Sequence, residues 1–592
     1  MILLGMISLL QIWFIPGYLL VYRSSSLSRA DKILLAIPLS ATVNFFLVYA
    51  LVLSGFYTQH TMIGIFTVEV AALLFFTWPK LKSSPHCNVS KRIDFNIDLT
   101  NIVFSLLVLL CSSQVLNQFG TVFTQGDAVM GWNALAISWF NGIIPTNIAW
   151  YPQLLPTLYS LTYQFIADSR VELFAKVAIS FYPLFALALF ARIAWLLPAE
   201  RKHILWSAVM FFLLIRRLWG SESTVNGYAE LPLAFFCLSI LYVFALRAST
   251  RIDKNRNTLA LVFIGIAIGA GLMKHSGVFL GLIAPFFWLF CFRKSEDWQK
   301  HLKHSALIGI AIACGYAPWY LYQYWRITIG IDTSNLEFLS SIVPLPWYES
   351  IAFGFKSITY KLSWLWVVLF LAALANRKAR YMALFFVLPF FLLWAAFVPY
   401  DFRNLAAIFP ALAITLSFGW TESIHFFKKF PLPKHSTIIQ RGFIFVTLAV
   451  LAITLLNPKY NSELLRLSDE AKEQIGDPEI NNLLFAFFEF HPEPAKVATA
   501  YLEMGKIPKL HQRHFKFYCG DNYGTQLSII ESLSSNLSDP TIHYVLLHPW
   551  CDTQLLAYFS SRPEEYHAIF QRNGAIFYEI MARHKSPYSS DK

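Results

Sequence analysis

Long apolar runs separated by short polar segments make up most of the chain. Runs such as ILLAIPLSATVNFFLVYALVL and LALVFIGIAIGAGLM are almost free of charge. A helix of roughly 20 apolar residues is long enough to cross a bilayer. The pattern therefore predicts a mainly α fold, a polytopic transmembrane helix bundle with about 13–14 spans. The predicted spans lie near residues 1–21, 33–54, 61–79, 100–118, 171–197, 204–218, 229–247, 258–274, 277–292, 304–325, 362–376, 381–398, 405–424 and 441–457.

Two segments depart from this pattern. Residues 119–170 are too polar for one simple span, and their two amphipathic runs, AVMGWNALAISWF and YPQLLPTLYSLTYQFI, predict juxtamembrane helices on the outer face or dipping into it. Residues 458–592 are polar, with strand-like HYVLLH and GAIFYEI, and predict a small soluble α/β domain. The chain thus divides into three N-terminal helices (1–99), a core (100–457) that contains the first outer loop (119–170), and the C-terminal domain.

Composition and charge support a membrane protein over a soluble or nucleic-acid-binding one. The chain is 56% hydrophobic and 14% charged, and a soluble protein of this length rarely has so few charges. The net charge of +12 comes largely from basic residues in alternate short loops, which the positive-inside rule places in the cytoplasm. We therefore predict a plasma membrane (bacterial inner membrane) protein, with residues 119–170 and 458–592 on the periplasmic face. The first apolar run has no basic leader or cleavage site and is expected to remain as a helix.

Acidic residues precede two of the predicted helices at the outer face. Asp127 lies in TQGDAVMGWN and Glu230 in GYAELPLAFF. Each has two interpretations: a residue that caps or opens a helix, or a base that takes a proton from an acceptor hydroxyl. A third acid, Glu69, lies in the middle of a predicted span, and we interpret it as a packing contact within the bundle.

Basic residues occur at two other outer-face helix junctions. Lys274 and His275 lie in GLMKHSGVFLG, and Arg403 lies in VPYDFRNLAAIFPALA. Lys274 could extend its ammonium towards water, and Arg403 could pair locally with Asp401. Alternatively, these residues bind the phosphate of a lipid-linked substrate, because cations match its charge.

These motifs resemble those of the multi-spanning glycosyltransferases of the C-type superfamily that use polyprenyl-phosphate sugars. The chain is most similar in style to the protein O-mannosyltransferase and lipid A aminoarabinose transferase branch, over about residues 100–592. The resemblance implies an inverting enzyme with Asp127 as the catalytic base. From the residues themselves, Glu230 is a second catalytic candidate, and Lys274, His275 and Arg403 are the candidates for binding the donor phosphate. Relatives often have more basic residues in the first outer loop, where this chain has only Arg170.

The resemblance also implies the partners: a polyprenyl-phosphate-sugar donor, a glycan, lipid or protein acceptor, and membrane lipids. No cofactor and no metal are expected, since the chain has no recognisable DxD pair and no cysteine spacing typical of a zinc site. Cys519 and Cys551 are the only cysteines of the predicted outer domain. They are candidates for a structural disulfide because that compartment is oxidising, and two free buried thiols are the alternative.

Two other functions remain open from the sequence. An O-antigen ligase or polymerase is also a multi-spanning membrane enzyme, but that class usually relies on basic residues in a large late outer loop, and few occur in 326–361. A transporter of lipid-linked sugars would be expected to show repeated halves or interrupted helices. The sequence has no evident internal repeat.

The loop charges give a direct test of topology. Reporter fusions at Lys254 and Ser589 are expected to lie in opposite compartments, with Lys254 in the cytoplasm and Ser589 outside. Alkaline phosphatase and green fluorescent protein activities measure the two positions. Both fusion points in the same compartment would disprove the predicted topology.

Overall fold

The computed structural model describes residues 1–25, 27–82, 99–118, 123, 127–145, 151–219, 227–249, 256–291, 298–329, 346–362, 364–397, 402–429, 478–490, 496–499, 515–516, 542–547 and 553–581. The described part is mainly helical. Its α-helices are α1 (Ile2–Trp13), α2 (Ile15–Val21), α3 (Arg29–Leu53), α4 (Gln59–Lys82), α5 (Leu99–Gln118), α6 (Ala134–Phe140), α7 (Leu154–Ile166), α8 (Leu173–Ser180), α9 (Tyr182–Leu196), α10 (Arg201–Trp219), α11 (Glu230–Ser249), α12 (Arg256–Met273), α13 (His275–Cys291), α14 (Trp298–Thr328), α15 (Trp347–Leu362), α16 (Trp364–Ala373), α17 (Arg377–Met382), α18 (Leu388–Phe397), α19 (Phe409–Lys429), α20 (Pro478–Phe490) and α21 (Thr553–Ser560).

Segments of π-helix and of 3₁₀-helix join some of these α-helices. A π-helical segment, Asp127–Asn133, leads into α6, and another, Ala383–Val387, continues α17 into α18. Segments of 3₁₀-helix, Pro198–Glu200 and Phe402–Ile408, precede α10 and α19. The second 3₁₀ segment carries Arg403 and so belongs to the candidate site described below.

Within the described residues, nine helices or continuous helix pairs are long and apolar enough to cross a membrane, and the sharply bent pair α15 and α16 would be a tenth. The nine are Ile2–Val21, Arg29–Leu53, Gln59–Thr77, Leu99–Leu116, Leu173–Leu196, Glu230–Ser249, Trp298–Arg326, Arg377–Phe397 and Phe402–Ile424. The prediction of a multi-spanning, mainly α chain is confirmed. Helices α12 and α13 form at the predicted places, and their described parts are shorter apolar helices. The span predicted at 441–457 lies outside the described residues.

Helix α11 lies at the centre of the helical unit. All residues from Glu230 to Leu246 are buried, and the helix packs against α9, α12 and the 3₁₀ segment Phe402–Ile408. A helix that is apolar on every side is stable only where neighbours surround it or where lipid replaces them. The neighbouring helices therefore determine the positions of the polar residues at the ends of α11.

Helix α7 corresponds to the second amphipathic run of residues 119–170, for which the sequence predicts a position at the membrane surface or dipping into it. Every residue from Leu154 to Phe165 is buried, and the helix packs against α1, α3, α6 and α8. The hydroxyls on its polar side are satisfied inside the bundle, where Ser160 contacts the Tyr57 hydroxyl at 2.9 Å. Internal hydrogen bonds of this kind allow a helix with polar side chains to be enclosed on all sides.

The first helices belong to the same compact unit as the rest of the bundle. Gln11 of α1 donates to Asn44 Oδ1 of α3 at 3.1 Å, and Asn44 Nδ2 donates back to the Gln11 carbonyl at 2.9 Å. Thr42 of α3 donates to the Gly265 carbonyl of α12 at 3.1 Å. Glu69 of α4 is half-buried, and its side chain lies beside Gln11, which agrees with a packing contact within the bundle.

The described part of the C-terminal unit is built on a five-stranded mixed sheet in the order β2-β1-β3-β5-β4. Its strands are β1 (Lys496–Thr499), β2 (Phe515–Lys516), β3 (Ile542–Leu547), β4 (Tyr566–Arg572) and β5 (Ala575–Ile580). The predicted strands HYVLLH and GAIFYEI are β3 and β5, which pair antiparallel. Asn573 and Gly574 join β4 to β5 with φ of 49° and 79°, the left-handed pair that a tight hairpin requires.

Apolar side chains cover both faces of this sheet. Phe577 and Tyr544 pack with Leu484 and Phe488 of α20 on one face, whereas a second cluster packs around Phe559 of α21 on the other. Alternation along β3 places Leu546 in the first cluster and Val545 in the second. The prediction of a small C-terminal sheet is confirmed. Cys519 and Cys551 lie outside the described residues, so their disulfide stays a prediction.

Candidate functional site

A buried ion pair joins the start of α11 to the junction of α12 and α13. Lys274 Nζ donates a hydrogen bond to Glu230 Oε1 at 2.7 Å, and the two side chains are 4% and 6% exposed. Lys274 therefore does not extend towards water as a snorkelling lysine would. A buried charge is tolerated where an opposite charge and hydrogen bonds compensate its lost hydration.

Glycines shape both backbone segments that carry this pair. Gly227, three residues before Glu230, has φ of 91°, a conformation that favours glycine. After Lys274, a Cβ at Gly277 would lie 1.8 Å from the Ala270 carbonyl oxygen, so no side chain fits there. Gly277 N–H instead donates to the Lys274 carbonyl at 2.8 Å. The KHSG segment thus makes an abrupt turn that holds Lys274 between two helices.

Arg403 approaches the same carboxylate from a third element. It lies in the 3₁₀ segment Phe402–Ile408, which packs against α11 and α13. Its Nε is 4.0 Å from Glu230 Oε1, and its side chain is 32% exposed. Its guanidinium carbon lies 5.8 Å from the ring centroid of Tyr228, within the range of a cation–π contact. The local pairing predicted with Asp401 lies outside the described residues.

A tyrosine of α7, Tyr159, lies beside the buried ion pair. The Tyr159 hydroxyl donates to the Gly227 carbonyl at 3.1 Å and so fixes the turn before Glu230. Burial, with smaller contributions from Tyr182 and Glu230, raises the pKa of Tyr159 well above its ordinary value. Tyr159 is therefore a neutral donor at any physiological pH, and it adds no charge to the site.

His275 extends the site towards an aromatic group. Its ring meets Tyr151 edge-on at 5.4 Å, and Tyr151 meets Trp132 at 4.8 Å. His275 begins α13 and is half-buried. The three rings form an aromatic wall beside Lys274, which suits a site where a polar ligand lies against apolar surface.

Two cations meet one carboxylate in the described group. Glu230 Oε1 lies 2.7 Å from Lys274 Nζ and 4.0 Å from Arg403 Nε. Lys274 is enclosed while Arg403 is partly exposed, so the guanidinium is the cation that a ligand can reach. Arginine binds phosphate with two parallel hydrogen bonds where lysine offers a single point of charge. Glu230 Oε2 is buried and accepts no hydrogen bond within the described residues.

The structure brings together four of the five sequence-predicted catalytic and phosphate-binding residues: Glu230, Lys274, His275 and Arg403. Asp127 begins the π-helical segment Asp127–Asn133, and its side chain lies outside the described part of the chain. That segment ends at Asn133, which donates to Glu172 at 3.2 Å and accepts from Tyr163. In the described ranges no three His, Cys, Asp or Glu side chains converge as metal ligands would.

Comparison with known proteins gives no independent identification of this site. No family model and no curated protein matches the chain. The function of the site is therefore argued from its own geometry and charge.

Tyr159, Tyr228 and the aromatic wall of Trp132 and Tyr151 were not predicted from the sequence. Tyr228 is two residues from Glu230 in GYAE, so its proximity to the acid was available as a signal. Tyr159 and Tyr151 had no such signal, because they reach Gly227 and His275 only through the packing of the first loop against the bundle.

Breaking the ion pair is expected to destabilise the protein strongly. Lys274→Met leaves Glu230 buried with Arg403 at the outer limit of an ion pair, and the expected loss is about 3–5 kcal/mol of unfolding free energy. The double variant Glu230→Leu with Lys274→Met should lose less than Lys274→Met alone, since no charge is left uncompensated. Unfolding of the purified protein in detergent, followed by intrinsic fluorescence, measures both.

Arg170→Met is the matched control. Arg170 pairs with Asp168 at 2.8 Å, but their side chains are 70% and 31% exposed. An exposed pair contributes about 0–1 kcal/mol. Equal losses in Lys274→Met and Arg170→Met would show that burial gives the Glu230–Lys274 pair no special role.

Proposed function

We propose that this protein is a membrane glycosyltransferase that moves a sugar from a polyprenyl-phosphate donor to an acceptor at the outer face of the membrane, with inversion at the anomeric carbon. The observation that carries the proposal is the group of Glu230, Lys274 and Arg403, with its partly exposed guanidinium, at one end of apolar, membrane-length helices. A donor with a polyprenyl chain and a phosphate needs both features: apolar surroundings for its chain and a cation for its charge.

The positions of the three residues along the chain support the outer face. Glu230 begins α11, Lys274 separates α12 from α13, and Arg403 precedes α19. The strongly basic loops lie at the other ends of these helices, at 250–256, 292–303 and 428–441. By the positive-inside rule those ends are cytoplasmic, which assigns the site to the opposite side.

Arg403 is assigned the main contact with the donor phosphate. It is the partly exposed cation of the group, and its fork-shaped guanidinium suits the charge that develops as the phosphate leaves. Lys274 and Glu230 are assigned to positioning: Lys274 neutralises Glu230, and Glu230 in turn holds both cations on one side of the site. The buried Oε2 of Glu230 is a further acceptor that can orient a hydroxyl group.

Asp127 is assigned the role of general base. An acceptor hydroxyl is a poor nucleophile until its proton is removed, and a carboxylate can remove it as the new bond forms. The hydroxyl oxygen attacks the anomeric carbon, the bond from that carbon to the phosphate oxygen breaks, and the polyprenyl phosphate leaves as an anion. The proton passes to Asp127. Inversion follows because attack and departure take place on opposite faces of the sugar.

Arg403→Lys tests the phosphate contact. The substitution keeps the charge and loses the fork, so we expect the KM for the donor to rise, on the order of tenfold or more, from the loss of a charge-assisted hydrogen bond. The kcat and KM of sugar transfer in proteoliposomes are the measurements. Arg170→Lys changes one residue of an exposed ion pair elsewhere in the chain. This variant should leave both kcat and KM unchanged. Wild-type kinetics in Arg403→Ala would remove Arg403 from the site.

Asp127→Asn tests the base. Asn retains the size and the helix-capping ability of Asp, so the variant is expected to be folded and to lose about 10²–10⁴-fold in kcat. Asp168→Asn makes the same change at a partly exposed carboxylate that pairs with Arg170 and should keep wild-type activity. A folded Asp127→Asn variant with near-wild-type turnover would exclude the assignment.

Both assays need the natural donor, which a deletion strain identifies. Loss of the enzyme should cause its polyprenyl-phosphate sugar to accumulate, and mass spectrometry of the lipid extract gives the sugar and the chain length. Complementation with the wild-type gene should restore the normal lipid profile. An unchanged profile in the deletion strain would contradict the proposed function.

A further inference from the structure

A separate cavity lies at the other end of α11 from Glu230. Its volume is about 550 Å³, within the usual range of roughly 300–1,000 Å³ for ligand pockets. Its lining comes from the last turns of α9, α11 and α13, the first turns of α10 and α17, and the middle of α19. Apolar side chains form most of the wall, among them Ile193, Leu241, Phe244, Phe287, Ile414 and Phe418.

Charged side chains lie at one part of this wall: Glu200, Arg377 and Lys378. Glu200 and Lys378 pair with each other, so their charges cancel. Arg377 is exposed and makes no ion pair or hydrogen bond within the described residues. The cavity thus combines apolar walls with one uncompensated positive charge.

We propose that this cavity binds an anionic phospholipid, with an acyl chain against the apolar wall and the phosphate diester at Arg377. The single negative charge of the diester matches the single surplus positive charge. The helix ends that line the cavity adjoin the basic segments 197–203, 250–256, 292–303 and 374–380, which the positive-inside rule places at the cytoplasmic surface. Anionic lipids of that leaflet are attracted to basic residues near the membrane surface.

The position of the cavity makes the bound lipid part of the bundle. Leu241 and Ala245 are on the central helix α11, and Ile193 and Ile414 belong to its neighbours α9 and α19. An acyl chain here would fill space between the helices that line the cavity. The lipid is therefore expected to stabilise the protein by binding the folded state. The inference does not depend on sugar transfer, since its readout is lipid binding.

Native mass spectrometry of the purified full-length protein tests the proposal. The protein, depleted of lipid in detergent, is titrated with phosphatidylglycerol, with phosphatidylcholine, and with glycerol phosphate as a headgroup without chains. We expect phosphatidylglycerol to bind more tightly than phosphatidylcholine and to raise the melting temperature, and glycerol phosphate not to compete. Competition by glycerol phosphate, or equal affinity for the two lipids, would overturn the anionic-lipid assignment.

Variants locate the binding site. Arg377→Ala should weaken phosphatidylglycerol binding, on the order of tenfold, by loss of a charge-assisted contact, while phosphatidylcholine binding stays unchanged. Ala248→Trp places a large ring at the cavity from an exposed position, so it should fold and block both lipids.

Arg201→Ala is the matched control for charge. Arg201 is an exposed cation next to Glu200 in sequence, it donates to Asn101 at 3.2 Å, and it does not line the cavity. Its substitution should leave lipid binding unchanged. Equal effects of Arg377→Ala and Arg201→Ala would show general attraction to a basic surface and would overturn the site.

Discussion

The arrangement of the candidate site depends on the ionic contacts of the Glu230 carboxylate with Lys274 and Arg403. The carboxylate is buried at the start of the central helix, and a charge in such a place is stable only with partners. Lys274 comes from the junction of two other helices and Arg403 from a fourth element. One carboxylate therefore fixes the relative positions of three helix junctions that are far apart in sequence. The same electrostatic need that makes the pair costly to break also gathers positive charge where an anionic substrate would bind.

Packing inside an apolar environment explains why the surrounding helices are arranged as they are. Backbone groups within a membrane must be satisfied by the helix itself, and polar side chains need internal partners. Helix α7 illustrates this: its tyrosine and serine hydroxyls bond to Gly227, Asn133 and Tyr57. These bonds tie α7 to the turn before α11, to Asn133 and to the residues between α3 and α4. Residues of α7 thus hold the backbone beside the site in place, although they carry no charge.

The two ends of α11 have opposite chemical characters. At one end a carboxylate holds two cations beside aromatic rings, which suits a phosphate that carries a sugar. At the other end an apolar cavity with one uncompensated arginine suits a lipid that belongs to the membrane. Both proposals use the same physical principle, namely that a cation at the edge of an apolar region selects an amphipathic anion. They differ in that the sugar donor reacts, whereas the phospholipid is only bound.

The sequence by itself determined the fold class and most of the helix positions, because membrane-length apolar runs have few alternatives to helix. It also identified Glu230, Lys274, His275 and Arg403 as unusual polar residues at helix ends, and the β3 and β5 strands of the C-terminal unit. Only the tertiary structure decided that Glu230 is the partner of Lys274, since a separation of 44 residues leaves no periodic signal. It likewise decided that α7 is enclosed, because amphipathicity describes one helix whereas burial depends on all its neighbours. The cavity beside Arg377 arises from six helices together, so no single segment of sequence could have predicted it.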